Sequence, residues 1–271
     1  MQEFLFQDSN LKLSGNQNIL SIQASLDGFS ILIRGADNPS SFYLHQYPFS
    51  QTTSSGLIRK LRELLEKEHP SDKAFEKVNI SFTNNRFKLI PAVLFDEKLA
   101  HQLLQTHDKE EDVIANPIGE KYILAFAVEK SITDLFRYFL PQSDFLHEIT
   151  LLSDSKLDSK ENGIVDMTCH FGASHFYIIT KKEHEIVFLN RFDVADKNDV
   201  LFYLISAVKL FEKDNLNIRL TGNILEKSDV YMLLKRYFQG ILFYTNKNAD
   251  TLEQKLNCRI HTLFPIITYL L

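Results

Sequence analysis

Apolar and polar positions alternate from Ile19 to Gly35, and the alternation breaks once, at Asp27-Gly28. Period-two patterning predicts two short strands, and Asp-Gly between β-rich runs predicts a hairpin, because both residues tolerate φ > 0. A third strand is expected over Ser41 to Tyr47. From Thr53 to Glu68 the period lengthens: Leu57, Ile58, Leu61, Leu64 and Leu65 recur at helical spacing and mark one buried face. After a polar leader, the chain opens as β-β-β-α.

The middle, Lys77 to Ser153, predicts strands at Val78 to Thr83, Phe87 to Phe95, Tyr122 to Val128 and Phe145 to Leu152. A helix is expected over Asp96 to Gln105 and another from Ser131, where Asp134 three positions on completes a capping-box pattern and Ile132, Leu135, Phe136 and Phe139 form the buried stripe. Pro141 ends that helix. The charged stretch His107 to Gly119, with Pro117, reads as an exposed loop. The polar bridge Lys156 to Asn162 is the expected boundary between two lobes.

Beyond the bridge the opening pattern returns. Strands are predicted at Gly163 to His170, Ser174 to Thr180 and Glu185 to Val194, then a helix capped by Asp196 and carrying Val200, Leu201, Leu204, Val208 and Phe211. A strand at Leu216 to Thr221, a helix from Ser228, a strand at Ile241 to Tyr244 and a helical stretch from about Asp250 follow. Element order repeats; residues do not.

Composition narrows the possibilities. The chain has 271 residues, 44% of them apolar and 24% charged, with 22 Phe and no Trp, enough for two lobes of roughly 100 to 150 residues without disulfide staples. Cys169 and Cys258 form no metal-ligand pattern, and the opening residues carry no charged and apolar leader, so a cytoplasmic setting is expected. No run is long enough to span a bilayer, and a formal net charge of −5 argues against nucleic acid. The basic stretch Arg59 to Lys67 is interleaved with Glu63, Glu66 and Glu68 on a solvated helix face.

Several constellations fall away on spacing. Cys169 and His170 are strand neighbours and point to opposite faces, so with His175 they make no metal site. His101 and His107 offer no better set. The signatures H-E-x-x-H, G-x-S-x-G and G-x-x-x-x-G-K-[ST] are absent, which excludes a P-loop and leaves no nucleophile–base pair for a hydrolase. Tyr231, Tyr237, Phe238, Phe243 and Tyr244 fit buried faces better than a base-stacking platform. The apolar tail Leu263 to Leu271 is expected to be an interaction surface or core helix.

The duplicated unit of three meandering strands, helix, strand and helix resembles the superfamily of actin, sugar and acetate kinases and the large heat-shock chaperones. Within it the chain resembles the bacterial branch of pilus-assembly PilM, cell-division FtsA and secretion-ATPase-like scaffolds. Closer still is an uncharacterised bacterial domain family of the same fold, similar over nearly the whole chain, including the stretches around Ser21 to Ile33, Phe82 to Leu94 and Val165 to Arg191. The resemblance implies an α/β, actin-like ATPase fold (a ribonuclease H-like duplicated βββαβα), two-lobed. Its first lobe would span 1–155, with an inserted subdomain at about 77–120, and its second 163–271.

It also implies where nucleotide would sit. In nucleotide-binding relatives each lobe's first hairpin offers backbone N–H groups to phosphates, with glycines permitting the approach and a strand-end Asp organising Mg²⁺. The first hairpin here is Ser25-Leu26-Asp27-Gly28-Phe29-Ser30, with Ser25 at the usual Asp position and Asp27 either a shifted ligand or the turn residue. The second phosphate motif corresponds to Ile164-Val165-Asp166 with Gly172-Ala173-Ser174, where Asp166 is a candidate catalytic or Mg²⁺-organising carboxylate or else a capping residue. The adenosine motif corresponds to Ile218 to Asn223, with Gly222 and Asn223 at its two glycine positions.

Two functions are compatible with these residues. One is a non-catalytic scaffold or regulatory protein with a degenerate nucleotide site filled by Phe29, Met167 or Phe171 and an unidentified protein partner. The other is a Mg²⁺-dependent ATPase or kinase that binds ATP and uses Asp166, with Asp27 or Ser30 near the phosphates.

Overall fold

Strand patterning puts apolar residues on one face of each central strand, and helices cover that face. The computed structural model describes residues 3–9, 11, 18–35, 41–50, 53–68, 75–106, 110–154, 163–245 and 249–270. The chain divides into two units, Met1–Thr150 and Leu151–Tyr269. The boundary expected at Lys156 to Asn162 lies outside the described residues.

In the first unit, β1 (Phe4–Gln7), β2 (Ile19–Ser25), β3 (Gly28–Arg34), β4 (Phe42–Pro48), β5 (Lys77–Phe82) and β9 (Ser143–His147) form one sheet in the order β1-β4-β3-β2-β5-β9. β5 runs parallel to β2, and β9 parallel to β5. Leu20, Ile22, Ile31 and Ile33 bury against Leu57, Leu61, Leu64 and Leu65 of α1 (Ser54–Glu68) and Ile132, Leu135 and Phe136 of α3 (Lys130–Phe139). β1 was expected to be a polar leader; its alternating half-buried and exposed residues instead pair antiparallel with β4.

Between β5 and α3 lies a separate three-stranded sheet, order β6-β8-β7, built from β6 (Phe87–Pro91), β7 (Glu111–Ile118) and β8 (Tyr122–Glu129). Ala100 and Leu104 of α2 (Glu97–Leu104) pack on it against Ile90, Ala125 and Ala127. Four expectations are corrected here. Lys77–Phe82, expected inside the inserted subdomain, pairs in the main sheet. Residues 111–118 are a strand and not a loop, because Pro117 sits on an edge strand where its missing N–H costs no ladder bond. α3 starts at Lys130 on Glu129 with no side-chain cap, so Ser131 is already helical. The expected strand Phe145 to Leu152 is β9 followed by the helix α4 (Glu148–Leu152), consistent with Ile149, Leu151 and Leu152 departing from strict alternation.

The second unit repeats the first's sheet order. β10 (Ile164–Phe171), β11 (His175–Lys182), β12 (Glu185–Asp193), β13 (Asn215–Gly222) and β14 (Ile241–Phe243) run β12-β11-β10-β13-β14, matching β4-β3-β2-β5-β9. α5 (Lys197–Lys209) starts at Asp196 with a capping box completed by Asp199, and α6 (Asp229–Tyr237) is capped by Ser228, both as patterned. α7 spans Ala249–Leu256. The apolar tail is not an exposed surface: it forms 3₁₀ turns in which Leu263, Phe264, Ile266 and Ile267 are buried, with Phe264 against Tyr244 at 4.8 Å between ring centroids. No helix among the described residues is long and apolar enough to cross a membrane.

A polar network ties β4 to α1. The Glu68 carboxylate accepts from the Tyr43 hydroxyl at 2.9 Å and from the Tyr47 hydroxyl, and lies 2.9 Å from His45 Nδ1. His45 Nε2 lies 2.9 Å from Glu3, just ahead of β1. Burial, then the bond to Glu68, raises both phenols above their ordinary value of 10.0.

Glu68→Ala removes the acceptor shared by buried His45 and Tyr47 and half-buried Tyr43, and urea unfolding should report a loss of roughly 3 kcal/mol; an unchanged midpoint would mean the network is not stabilising. Because the folded state holds the Tyr43 and Tyr47 protons more tightly than the unfolded chain, the contribution of these two phenols to stability should be constant below about pH 10 and fall as pH rises above it. Tyr43→Phe should flatten that alkaline fall.

Candidate functional site

The first hairpin turns at Leu26 and Asp27, one residue earlier than the Asp27-Gly28 pair suggested, and Ser25 pairs with Gly28 across it. Neither Asp27 nor Gly28 has a positive φ. Ser25 replaces that device: its hydroxyl donates to the Asp27 carboxylate and lies 3.1 Å from the Gly28 carbonyl. Asp27 is thereby engaged within its own turn, with Leu26 exposed at the tip. Ser30 is buried further along β3 and accepts from Gln46 at 3.3 Å.

The second hairpin is built on the same register. The Gly172 N–H donates to the His175 carbonyl at 2.9 Å, leaving Ala173 and Ser174 as the turn, with both exposed. The Phe171 carbonyl accepts from Asn223 N–H at 2.7 Å, as the Ala24 carbonyl accepts from Thr83 in the first unit. Ser25 and Gly172 are therefore counterparts. Gly172, Ser174, Gly222 and Asn223 converge at this end of the sheet, because β13 runs parallel to β10 and Phe171 pairs with Gly222.

Asp166 is not among them. It stands six residues before Gly172 on β10, a strand length of about 20 Å. There Arg219 Nη2 lies 2.9 Å and Asn217 Nδ2 3.0 Å from its carboxylate. Both partners come from β13, on the face of β10 opposite Met167, Cys169 and Phe171. A carboxylate neutralised by a guanidinium is poorly disposed to organise Mg²⁺. Among the described residues no group of His, Cys, Asp and Glu is arranged to hold a metal ion. Cys169 lies in the core, its thiol pushed up to about 12 by burial.

What occupies the glycine positions is the chain's own imidazoles. A Cβ on Gly172 would lie 2.3 Å from Cε1 of His175, and one on Gly222 would lie 2.8 Å from Cε1 of His170 and 2.3 Å from the Phe171 carbonyl oxygen. Gly222 also has φ +83°, a conformation that side chains resist. His170 is held by Thr221 at 3.0 Å from Nδ1, and both imidazoles meet the buried ring of Tyr177. Phe29, Met167 and Phe171, expected as the fillers, point instead into the hydrophobic cores. The expectation failed because alternation along β10 and β11 puts His170, His175 and Tyr177 on the face away from α5 and α6, and no motif marks a histidine as the partner of a glycine. Close by, His261 Nε2 donates to the Ile224 carbonyl at 2.9 Å, and burial lowers its pKa, favouring the neutral ring.

Residues 8–241 match the family described as protein of unknown function (DUF3822), and the chain belongs to that family. No curated protein matches it. Among solved structures, a Bacteroides thetaiotaomicron VPI-5482 protein with an actin-like ATPase fold and unknown function is similar with a TM-score of 0.72 at 23% identity, over 90% of this chain and 97% of that one. A chain of the PilM-PilN type IV pilus biogenesis complex is similar with a TM-score of 0.55 at 11% identity, over 94% of this chain and 98% of that one. The fold is the two-lobed actin-like ATPase fold that the duplicated element order implies.

Gly222→Ala, which forces a Cβ into the Phe171 carbonyl at positive φ, should cost roughly 2–3 kcal/mol in urea unfolding. Asp166→Ala removes the carboxylate that Arg219 and Asn217 contact and should cost about 3 kcal/mol, whereas Ser174→Ala at the exposed turn should cost about 0.5 kcal/mol or less. Equal effects at 166 and 174 would contradict the structural role given to Asp166.

Proposed function

We propose that this chain is a non-catalytic scaffold or regulatory protein of the cytoplasm, in which the phosphate- and adenosine-binding positions of an actin-like ATPase have been closed from within and a protein partner is held instead. The observation that carries this reading is the packing of His175 against Gly172 and His170 against Gly222. Glycines at these positions give a nucleotide access to backbone only if the space above them is open. Here the rings fill it, and the N–H groups of Gly172 and Asn223 are spent on His175 and Phe171.

The pairing of Asp166 with Arg219 supports the same reading against an ATPase or kinase, since phosphoryl transfer relies on metal and positioned charge at the phosphates. Neither Mg²⁺ nor ATP finds a fitting donor set in these residues. That a PilM-PilN complex chain shares the fold fits a partner-binding role without identifying the partner.

Thermal unfolding with millimolar ATP or ADP and Mg²⁺ tests the reading. A ligand at 100 times its Kd would add roughly 2.7 kcal/mol of stability. The expected result is no shift for the native chain. A saturable shift that Gly222→Ala abolishes would overturn the scaffold reading and restore the nucleotide site.

A further inference from the structure

The inserted sheet has two edges, and they are protected differently. β6 carries Lys88 at its second position and ends on Pro91, features that discourage a further strand. β7 carries no Lys and reaches Pro only at 117. The ladder fixes which of its backbone groups point outward. Lys130 N–H donates to the Glu110 carbonyl at 2.9 Å, and Glu111 then pairs with Glu129, so alternation directs Asp112, Ile114 and Asn116 to β8 and turns the amides and carbonyls of Glu111, Val113 and Ala115 away from it. Pro117 falls on the same outward series, the only one it can occupy without losing a bond to β8.

Beside those outward groups lies a pocket of about 460 Å³, with Phe95, Glu97 and His101 on one side and β7 residues 111–113 and 115 on the other. Two of its carboxylates are already matched: Glu111 by Arg86, and Asp112 by Arg137 and Thr133. Glu97 is exposed and makes no ion pair among the described residues, and exposed Glu110 at the head of the strand makes none either. Val93 and Leu94, 93% and 62% exposed, stand on the 3₁₀ turn that leads into Phe95. Strand-pairing groups, apolar contacts and uncompensated negative charge thus lie together.

We propose that the outer edge of β7 receives an extended segment of a partner protein as a fourth strand, with an apolar side chain set against Phe95 and Val113 and a lysine or arginine directed to Glu97. Main-chain bonds to Glu111, Val113 and Ala115 supply the pairing, and the carboxylate selects a basic over an acidic segment. This rests on the scaffold reading for its partner class but not on the state of the glycine positions, so a nucleotide-induced shift would leave it standing.

The test uses the full chain and labelled eight-residue Val/Thr peptides with Lys or Glu at the centre, read by fluorescence anisotropy and by hydrogen exchange of residues 111–117. The lysine peptide should bind saturably and slow exchange at Val113 and Ala115, with the glutamate peptide roughly tenfold weaker. Ala115→Pro removes one outward N–H and no bond to β8, and should abolish binding while leaving the unfolding midpoint near that of the parent chain. Methylating the peptide's backbone nitrogens should do the same without altering the protein, and Glu97→Lys should reverse the charge preference. No saturation by millimolar lysine peptide, or binding indifferent to both Ala115→Pro and backbone methylation, would overturn the proposal.

Discussion

Each main sheet is organised around a strand that is hydrogen-bonded along both edges. β2 lies between antiparallel β3 and parallel β5, and β10 between antiparallel β11 and parallel β13. Once both edges are used, such a strand has no backbone groups left for a ligand except at its ends, and its side chains must alternate between two faces. Chemistry is thereby confined to the hairpin tips and the strand ends beside them. The proposed loss of a nucleotide site therefore turns on a few residues at those tips.

The two tips have diverged within a shared register. In the first, Ser25 and Asp27 bond to one another and the turn is closed by side chains. In the second, glycine survives at 172 and 222, but its usual advantage, room for something else to approach, is taken by imidazoles of the same sheet. A glycine kept for internal packing and one kept for a ligand look alike in sequence. Only the neighbour across the strand distinguishes them.

Much of the fold was legible from periodicity and caps. The spacing of Leu57, Leu61, Leu64 and Leu65 marked the buried face of α1, and Asp196 and Ser228 marked two helix starts, because these signals are local. The misreadings involved non-local partners. β1 is stabilised by β4 some forty residues away, and Pro117 is tolerated in β7 only because that strand lies at an edge. The ion partner of Asp166, Arg219, likewise comes from a strand placed beside it by the parallel crossover, beyond the reach of its sequence neighbours. The histidines over the glycines carried no sequence signal, since a face assignment on β11 was needed before His175 could be set against Gly172.

The parallel pairs also have a consequence for the time course of folding. Ile19 must find Lys77, and Ile164 must find Asn215, before either main sheet is complete. Closing such long loops spends chain entropy before the contacts that compensate for it exist, whereas the β2–β3 and β10–β11 hairpins close locally. The chain therefore belongs among the slower folders. Its antiparallel halves wait with one open edge each, and the same long-range registry that shapes the hairpin tips sets the interval over which those edges stay exposed to neighbouring chains.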